Sequence, residues 1–264
     1  MDLEKIIKEI CRVAEETGFF IRSEAAGFSS DKVKSKAYHD LVSYVDTEAE
    51  KMVIAGLADL VPGASFYTEE ETSARGIGEY TWYIDPLDGT TNFVHGVAPY
   101  SVSIALCHRD EVIAGVVYDV PAHEMFYATK GGGAWKNGER LKVSETPALD
   151  KSLIATGFPV RKFERLPEYM KLLEYFIRNS RGVRRMGSAS VDLAHVATGQ
   201  YDAFYEYGLN PWDVLAGMLI VREAGGRVTD FRGNETPVTG EEICATNPLI
   251  SEEVINIVKR FMII

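Results

Sequence analysis

The sequence has few of the features that mark several common protein classes. It contains three cysteines, Cys11, Cys107 and Cys244, and none of them belongs to a C-x-x-C pair. This pattern predicts reduced thiols in a cytoplasmic compartment and no zinc ribbon. No apolar run reaches the roughly 18 residues of a membrane span, so no membrane association is expected. Residues 2–17 place apolar side chains at helical spacing among Lys and Glu, which predicts an amphipathic helix rather than a signal peptide.

Positive charge is also scarce. The chain has 28 Lys and Arg against 39 Asp and Glu, a net charge of −11. Proteins that bind duplex nucleic acid are usually basic, so no nucleic-acid partner is expected. The hydrophobic fraction of 46% and the charged fraction of 25% are those of a globular protein. An acidic enzyme can still bind an anionic substrate if it recruits cations at the site.

The order of helix-like and strand-like patterns predicts a layered α+β protein. Residues 1–145 combine two helices with several strands, and Thr47 with Glu50 fits a capping box at the start of the second helix. Residues 146–264 alternate strands and helices, and Pro211 is well placed to open a buried helix. We expect these two halves to form one compact catalytic unit.

The most informative segment follows the strand-like residues Thr81–Ile84 and reads Asp85-Pro86-Leu87-Asp88-Gly89-Thr90-Thr91. Pro86 suits a turn that would bring the Cα atoms of Asp85 and Asp88 within ~7 Å. Two carboxylates so close repel each other unless cations separate them, and carboxylate oxygens select hard ions such as Mg²⁺. The following Gly-Thr-Thr offers backbone N–H groups to a phosphate. An Asp-capped turn without a ligand is the alternative interpretation.

Two further acidic sites favour the metal interpretation. Glu69 begins a run of three glutamates directly after a predicted strand, and Asp213 is the third residue of the helix that Pro211 opens. Taken alone, the glutamates would be a solvated surface run, and Asp213 would complement the helix dipole.

Together these segments resemble the inositol monophosphatases, which are Mg²⁺-dependent, lithium-sensitive phosphomonoesterases. The resemblance follows the family's order over most of the chain. It is carried by Glu69-Glu70, residues 85–93, Gly187-Ser188-Ala189, residues 201–206, and Trp212–Gly217 with residues 223–226 behind it. It implies a five-layered αβαβα sandwich with the site where the two halves meet.

The resemblance also assigns roles to individual residues. Two or three Mg²⁺ ions would be held by Glu69, Asp85, the carbonyl of Leu87, Asp88 and Asp213. Glu69 and Thr90, helped through Asp46, would orient the attacking water, so phosphate would pass to water without a phosphoenzyme. Contacts to the substrate would come from Leu87, Asp88, Gly89, Thr90, Gly187, Ser188, Ala189, Glu206 and Asp213. A cytoplasmic homodimer acting on a small phosphate ester is expected.

A basic segment leaves the substrate open. Residues 161–185 contain eight basic and three acidic side chains, a local charge of +5. This segment is either a solvated helix face or subunit contact, or a second anion site in which Arg184 or Arg185 binds a second phosphate. Inositol 1-phosphate is the first candidate substrate, fructose 1,6-bisphosphate (alone or as a dual activity) the second, and a nucleotide 3′-phosphate the third. A non-catalytic regulator that binds phosphosugars is the alternative from another class.

Overall fold

Both strands and helices occur along the chain. A computed structural model describes residues 1–28, 34–37, 40–73, 76–160, 162–235 and 241–263. The strands are β1 (Lys34–Ala37), β2 (Asp40–Val42), β3 (Ser65–Thr68), β4 (Tyr80–Asp88), β5 (Ser101–His108), β6 (Glu111–Asp119), β7 (Glu124–Thr129), β8 (Gly133–Lys136), β9 (Glu139–Arg140), β10 (Leu153–Thr156), β11 (Gly182–Arg184), β12 (Ala203–Tyr207), β13 (Arg227–Thr229) and β14 (Glu242–Thr246). The helices are α1 (Leu3–Ala25), α2 (Tyr44–Leu57), α3 (Thr90–Val94), α4 (Leu166–Asn179), α5 (Ala189–Ala197), α6 (Pro211–Glu223) and α7 (Ser251–Met262). The predicted loop or hairpin at 29–39 is described only at 34–37, where β1 pairs antiparallel with β2, and its other residues lie outside the described ranges.

Two large sheets define the layers. One sheet has the strand order β3-β4-β5-β6-β7-β8-β9, and the other has the order β11-β10-β12-β14-β13. Helices α1 and α2 share a core with one face of the first sheet. Helices α5 and α6 lie between the sheets, and α4 and α7 cover the outer face of the second. The predicted αβαβα sandwich is confirmed.

Helix α6 belongs to the middle layer because it has no polar face. Residues 214–221 carry no polar side chain, and all of them are buried. Glycines allow its close packing: a Cβ on Gly115 would lie 2.9 Å from the Cα of Ala216, and a Cβ on Gly217 would lie 2.6 Å from the Cβ of Leu193. The N-terminus of α6 is thereby held between the two sheets, next to the predicted site.

Helix α1 is longer than the sequence predicts, because Gly18 does not end it. The helix continues to Ala25, and Gly18 lies in its interior. A Cβ at Gly18 would lie 2.4 Å from the ring of Tyr118 on β6. The glycine therefore permits a close helix–sheet contact rather than marking a C-terminus.

The start of α2 also differs from the prediction. The helix begins at Tyr44, and Ser43 is its N-cap, with Asp46 completing the capping box. The predicted box of Thr47 and Glu50 is therefore wrong. The difference matters for the site, because Asp46 contacts Ser43 and Thr90, and Glu50 contacts Glu70 and Thr72.

Candidate active site

Strand β4 carries three of the predicted metal ligands. The strand continues through Asp88, so the predicted turn is wrong. Asp85 lies opposite Ser103 and Asp88 opposite Ser101, so β4 has one residue more than β5 across this interval. Such a bulge is a position where Pro86, which has no N–H to donate to the ladder, is tolerated inside a sheet.

Asp85 lies at the centre of an acidic cluster. Its side chain is buried, and its Oδ1 accepts a 2.9 Å hydrogen bond from the backbone N–H of Leu87. Burial raises the pKa of Asp85 well above its usual value, and the negative charges of Glu69, Asp88 and Asp213 raise it further. The structure thus brings together the four carboxylates that the sequence proposes as metal ligands.

Glu69 follows β3, and its backbone N–H donates to the carbonyl of Ile84 at 3.2 Å, which extends the parallel pairing of β3 with β4. The next residues are held by Glu50, a buried carboxylate on α2. Glu50 accepts from the N–H of Glu70 at 2.7 Å and from the N–H and hydroxyl of Thr72 at 2.7 and 2.6 Å. This role of Glu50 differs from the helix cap that its spacing from Thr47 predicts.

Asp46 and Thr90 are adjacent, as the resemblance implies. One carboxylate oxygen of Asp46 accepts from the backbone N–H and hydroxyl of Ser43 at 2.9 and 2.7 Å. The other lies 2.9 Å from the hydroxyl of Thr90, which is also 3.0 Å from the carbonyl oxygen of Leu87. Both neighbours of the hydroxyl are acceptors, so its proton points to one of them and its own lone pairs remain available to a donor.

Gly89 begins the short helix α3 in a conformation that favours glycine. Its φ is 91°, and a Cβ would lie 3.1 Å from the carbonyl oxygen of Pro99 and 3.2 Å from that of Gly187. The first N–H groups of a helix have no partner within it, so those of α3 can donate to a ligand.

Asp88 connects the two halves of the chain. Its Oδ2 accepts from the hydroxyl of Ser188 at 2.7 Å and from the N–H and hydroxyl of Ser190 at 2.9 and 2.6 Å. Burial raises the pKa of Asp88, and these hydrogen bonds oppose that rise. At the start of α6, Asp213 accepts from the N–H of Asn210 at 2.7 Å, and the two residues form a capping box.

Glu69, Asp85, Asp88, Thr90 and Asp213 line one cavity of about 570 Å³. Asp46 is not part of the lining and is linked to it through Thr90. The lining of the cavity includes the predicted substrate-contact residues Leu87, Asp88, Gly89, Thr90, Gly187, Ser188, Ala189, Glu206 and Asp213. Its acidic residues are Glu69, Asp85, Asp88, Asp192, Glu206 and Asp213, and among the described residues Arg185 is its one Lys or Arg. Asp192 is not among the residues that the sequence analysis proposes; the available signal was a single carboxylate in the apolar helix α5.

The basic segment contributes one side chain to the cavity. Arg185 lines it and lies 5.5 Å from the ring centroid of Phe158. Arg184 lies on the exposed edge strand β11, does not line the cavity, and donates to the carbonyl of Val183 at 3.0 Å. Arg161 lies outside the described residues.

The acidic residues fit a hard divalent cation by their chemistry. Among the described residues, no group of three or more Asp, Glu, His or Cys side chains is already arranged to hold a metal ion. The carboxylates that surround Asp85 nevertheless repel one another and lie in one cavity. Clustered carboxylate oxygens are the preferred ligands of Mg²⁺ and Mn²⁺.

Comparisons with known proteins found similar sequences and similar structures. A profile described as the inositol monophosphatase family matches residues 2–262. The chain is 39% identical over 248 residues to a protein of Neisseria meningitidis serogroup B described as a putative Nus factor SuhB, covering 94% of this chain and 95% of the relative. It is 35% identical over 256 residues to an inositol-1-monophosphatase of Mesorhizobium japonicum, covering 97% and 96%. The solved structure of the Thermotoga maritima IMPase superposes with a TM-score of 0.89 at 33% identity, covering 99% of this chain and 98% of that one.

Proposed function

Because the chain belongs to the inositol monophosphatase family, which supports phosphatase activity, we propose that it is a Mg²⁺-dependent phosphomonoesterase that hydrolyses inositol 1-phosphate. One observation carries the proposal. The acidic cluster around Asp85, the start of α3 and the Asp46–Thr90 hydrogen bond all meet at one cavity. This combination supplies ligands for cations, donors for a phosphate and an acceptor for a water.

The cations would be held by the carboxylates of Glu69, Asp85, Asp88 and Asp213 and by the carbonyl of Leu87. Bound Mg²⁺ would supply the positive charge that a phosphate dianion requires, together with Lewis acidity. Asp85 is the central ligand in this proposal, because each of the other three carboxylates acts on its charge. The cavity without cations would repel a phosphate, since its lining has six acids and one Arg.

Thr90 would orient the attacking water. Its hydroxyl proton is directed to Asp46 or to the carbonyl of Leu87, so its oxygen can accept a hydrogen bond from water. Asp46 is fixed in turn by Ser43, which donates twice to its second oxygen. Glu69, half-buried at the same cavity, would accept the second hydrogen bond or the proton of that water.

The phosphate would be bound by the N–H groups of Gly89 and Thr90. Both residues line the cavity at the start of α3. The organic part would extend toward the segment 187–189 and Glu206. The carboxyl of Glu206 fits there because Gly157 has no side chain: a Cβ at Gly157 would lie 2.0 Å from Glu206 Oε1.

Fructose 1,6-bisphosphate is the less supported substrate. A second phosphate needs its own cations, and Arg185 is the one Lys or Arg in the described lining of the cavity. Arg184, which the sequence analysis proposes as a contact, lies on the exposed edge strand. Without a second cationic site, a monophosphate fits the charges better.

A non-catalytic regulator is a second candidate, because the Neisseria relative is described as a putative Nus factor. The test is phosphate release from inositol 1-phosphate, fructose 1,6-bisphosphate and adenosine 3′,5′-bisphosphate, each with Mg²⁺ and with EDTA. We expect Mg²⁺-dependent turnover with the highest kcat/KM for inositol 1-phosphate. Absence of turnover on all three esters would contradict the phosphatase proposal and favour the regulator.

Further properties are proposed on the resemblance to the family. Residues 1–145 and 146–264 would form the two halves of one catalytic unit, consistent with the placement of the two sheets at 65–140 and 153–246. The protein would be a cytoplasmic homodimer inhibited by Li⁺. Light scattering tests the dimer, and inhibition by LiCl against NaCl at equal concentration tests the lithium effect. Among the described residues, no helix is long and apolar enough to span a membrane.

A further inference from the structure

Two buried serines on β5 lie directly opposite two of the proposed metal ligands of β4. Ser103 pairs with Asp85, and Ser101 pairs with Asp88, in the antiparallel ladder. Residues that lie opposite each other in a ladder place their side chains on the same face of the sheet, and residues two apart on one strand share a face. The bulge in β4 therefore brings both carboxylates to the face on which the two serines contact the second half of the chain.

Ser101 belongs to a group of three buried hydroxyls between the two halves. Its Oγ lies 2.7 Å from that of Ser190 and 3.2 Å from that of Ser188, and both of these residues lie at the start of α5. Each of the three serines is at most 1% exposed. The hydroxyls of Ser188 and Ser190 and the backbone N–H of Ser190 donate to Oδ2 of Asp88. A proposed metal ligand of the first half is thus bound by donors of the second half.

The direction of these hydrogen bonds follows from what each group can donate. An ionised carboxylate only accepts, so the hydroxyl protons of Ser188 and Ser190 point to Asp88. The two serine oxygens then act as acceptors, and the single hydroxyl proton of Ser101 goes to Ser190, the nearer of the two. The hydrogen bonds therefore run from Ser101 to Ser190 to Asp88, and bonds in such a chain polarise and strengthen one another.

We infer that Ser190, supported by Ser101, is a positioning residue for the metal site, which holds Oδ2 of Asp88 so that Oδ1 is presented to the cation. This inference rests on the proposed function, because it takes Asp88 as a cation ligand. A carboxylate that binds a cation through one oxygen is oriented by a hydrogen bond to its other oxygen. Since the donors lie on α5, cation binding at Asp88 depends on how α5 packs against β5.

Binding of Mn²⁺ without substrate tests this inference, because the EPR signal of free Mn²⁺ reports how many ions are bound and needs no turnover. Loss of a group that hydrogen-bonds a metal ligand costs roughly 10- to 100-fold in metal affinity. We expect Ser190→Ala to weaken one class of Mn²⁺ sites by about 10-fold, at the low end of that range, because Ser188 and the backbone N–H at 190 still donate. Ser101→Ala should weaken the same class by about threefold, since it removes only the outer member of the chain.

Double variants separate positioning from packing. Asp88→Asn should itself weaken this class of sites, and adding Ser190→Ala to Asp88→Asn should change Mn²⁺ binding no further. Ser101→Ala should likewise add little to Ser190→Ala, because Ser101 acts through Ser190. If the serines only stabilise the contact between the halves, the Ser→Ala variants would lower the free energy of unfolding and leave the Mn²⁺ affinity unchanged. That result would overturn the inference, and so would an equal effect of Ser190→Ala with and without Asp88→Asn.

Ser152→Ala and Asp119→Asn are the matched controls. Ser152 is buried and donates its hydroxyl to the carbonyl of Ala148 at 2.9 Å, and Asp119 is a buried carboxylate. Neither residue lines the cavity. Both variants should bind Mn²⁺ as the wild type does. A loss in Ser152→Ala as large as that in Ser190→Ala would show that removal of any buried hydroxyl has this effect, which would also overturn the inference.

The inference and the proposed function fail in different ways. If Asp88→Asn binds Mn²⁺ as tightly as the wild type, the metal assignment of the proposed function is wrong, and the inference is wrong with it. If Asp88→Asn weakens binding and Ser190→Ala does not, only the inference is overturned. If Ser190→Ala weakens binding but the wild type releases phosphate from no ester, the positioning role stands and the phosphatase proposal is contradicted.

Discussion

The two walls of the cavity treat their carboxylates differently. The first wall comprises Asp85 and residues 87–90, with Asp46 behind Thr90, and the second comprises Arg185, Asp192 and Glu206. In the first wall, Asp46 and Asp88 accept hydrogen bonds from serine and threonine donors of the protein. In the second wall, Oδ1 of Asp192 has no hydrogen-bond partner among the described residues. The protein's own donors therefore fix the carboxylates of the first wall, whereas they leave one carboxylate oxygen of the second wall without a described partner.

This difference follows from the elements that form each wall. The bulge in β4 and the glycine-initiated helix α3 fix the backbone of the first wall. Fixed donors and acceptors need no reorganisation during a reaction, which suits catalysis. The second wall is made of side chains on α5 and β12 and after β11. Side chains from three separate elements can differ between related proteins without disturbing the backbone of the first wall, which suits recognition rather than catalysis.

The largest expected effect is the loss of activity on replacing Asp88 in the first wall. Asp88→Asn removes a charge from the proposed metal ligands and keeps an oxygen that can accept from Ser188 and Ser190. We expect the fold to persist and kcat to fall at least ~10²-fold, the scale for loss of one electrostatic stabiliser in an active site. The measurement is kcat on inositol 1-phosphate at saturating Mg²⁺, with Asp119→Asn as the control. A kcat close to that of the wild type would contradict the metal assignment.

The next effect concerns Thr90. Thr90→Val removes the hydroxyl that lies 2.9 Å from Asp46 and keeps the shape of the side chain. If this hydroxyl orients the water, kcat should fall about 10- to 100-fold with little change in KM. Thr90→Ser retains the hydroxyl and should recover most of the activity. Equal activity of the Val and Ser variants would remove the hydroxyl from the proposed reaction.

A smaller expected effect is a difference in the free energy of unfolding between variants of the two walls. Ionising Asp192 costs stability, because its pKa is higher in the folded protein than in the unfolded chain. This cost is absent below the unfolded pKa of about 3.9 and grows as pH rises toward the folded pKa. In Mg²⁺-free protein at pH 7, Asp192→Asn should therefore raise the free energy of unfolding by about 1 kcal/mol, on the scale of an unsatisfied buried group.

Asp88→Asn is the comparison for this measurement. Burial also raises the pKa of the Asp88 carboxyl, but hydrogen bonds from Ser188 and Ser190 oppose that rise. The gain in stability of Asp88→Asn should therefore be smaller than that of Asp192→Asn. Urea unfolding of both variants from pH 4 to pH 8 tests the order. A larger gain for Asp88→Asn, or a gain for Asp192→Asn that does not grow with pH, would contradict the difference between the walls.

The sequence predicts the residues of the first wall, but in the second wall it misses Asp192, for physical reasons. The residues of the first wall are nearly consecutive, so 85–90 are recognisable from local chemistry, as is Asp213 at the start of α6. The backbone conformation of these residues is not recognisable from the sequence, because Asp-Pro-x-Asp fits a turn as well as it fits a bulge. Pairing of β4 with β5 gives the bulge. Asp192 belongs to an apolar helix, and its place at the cavity depends on packing between distant segments. The role of Glu50 on α2 is equally hard to predict, because its partners Glu70 and Thr72 come after β3, about 20 residues further along the chain.

The smallest expected effects distinguish two adjacent arginines. Both side chains are exposed, but Arg185 lines the cavity and offsets the charges of Asp192 and Glu206, whereas Arg184 lies on the edge strand β11 outside the cavity. Arg185→Ala leaves those carboxylates without a nearby cation, and we expect kcat/KM for inositol 1-phosphate to fall by up to about 10-fold. Arg184→Ala should stay within about twofold on both inositol 1-phosphate and fructose 1,6-bisphosphate, because an exposed side chain outside the cavity contacts neither ester. Both variants are assayed at one Mg²⁺ and salt concentration. A loss in Arg184→Ala that is large and confined to the bisphosphate would restore the second anion site and with it the bisphosphatase alternative.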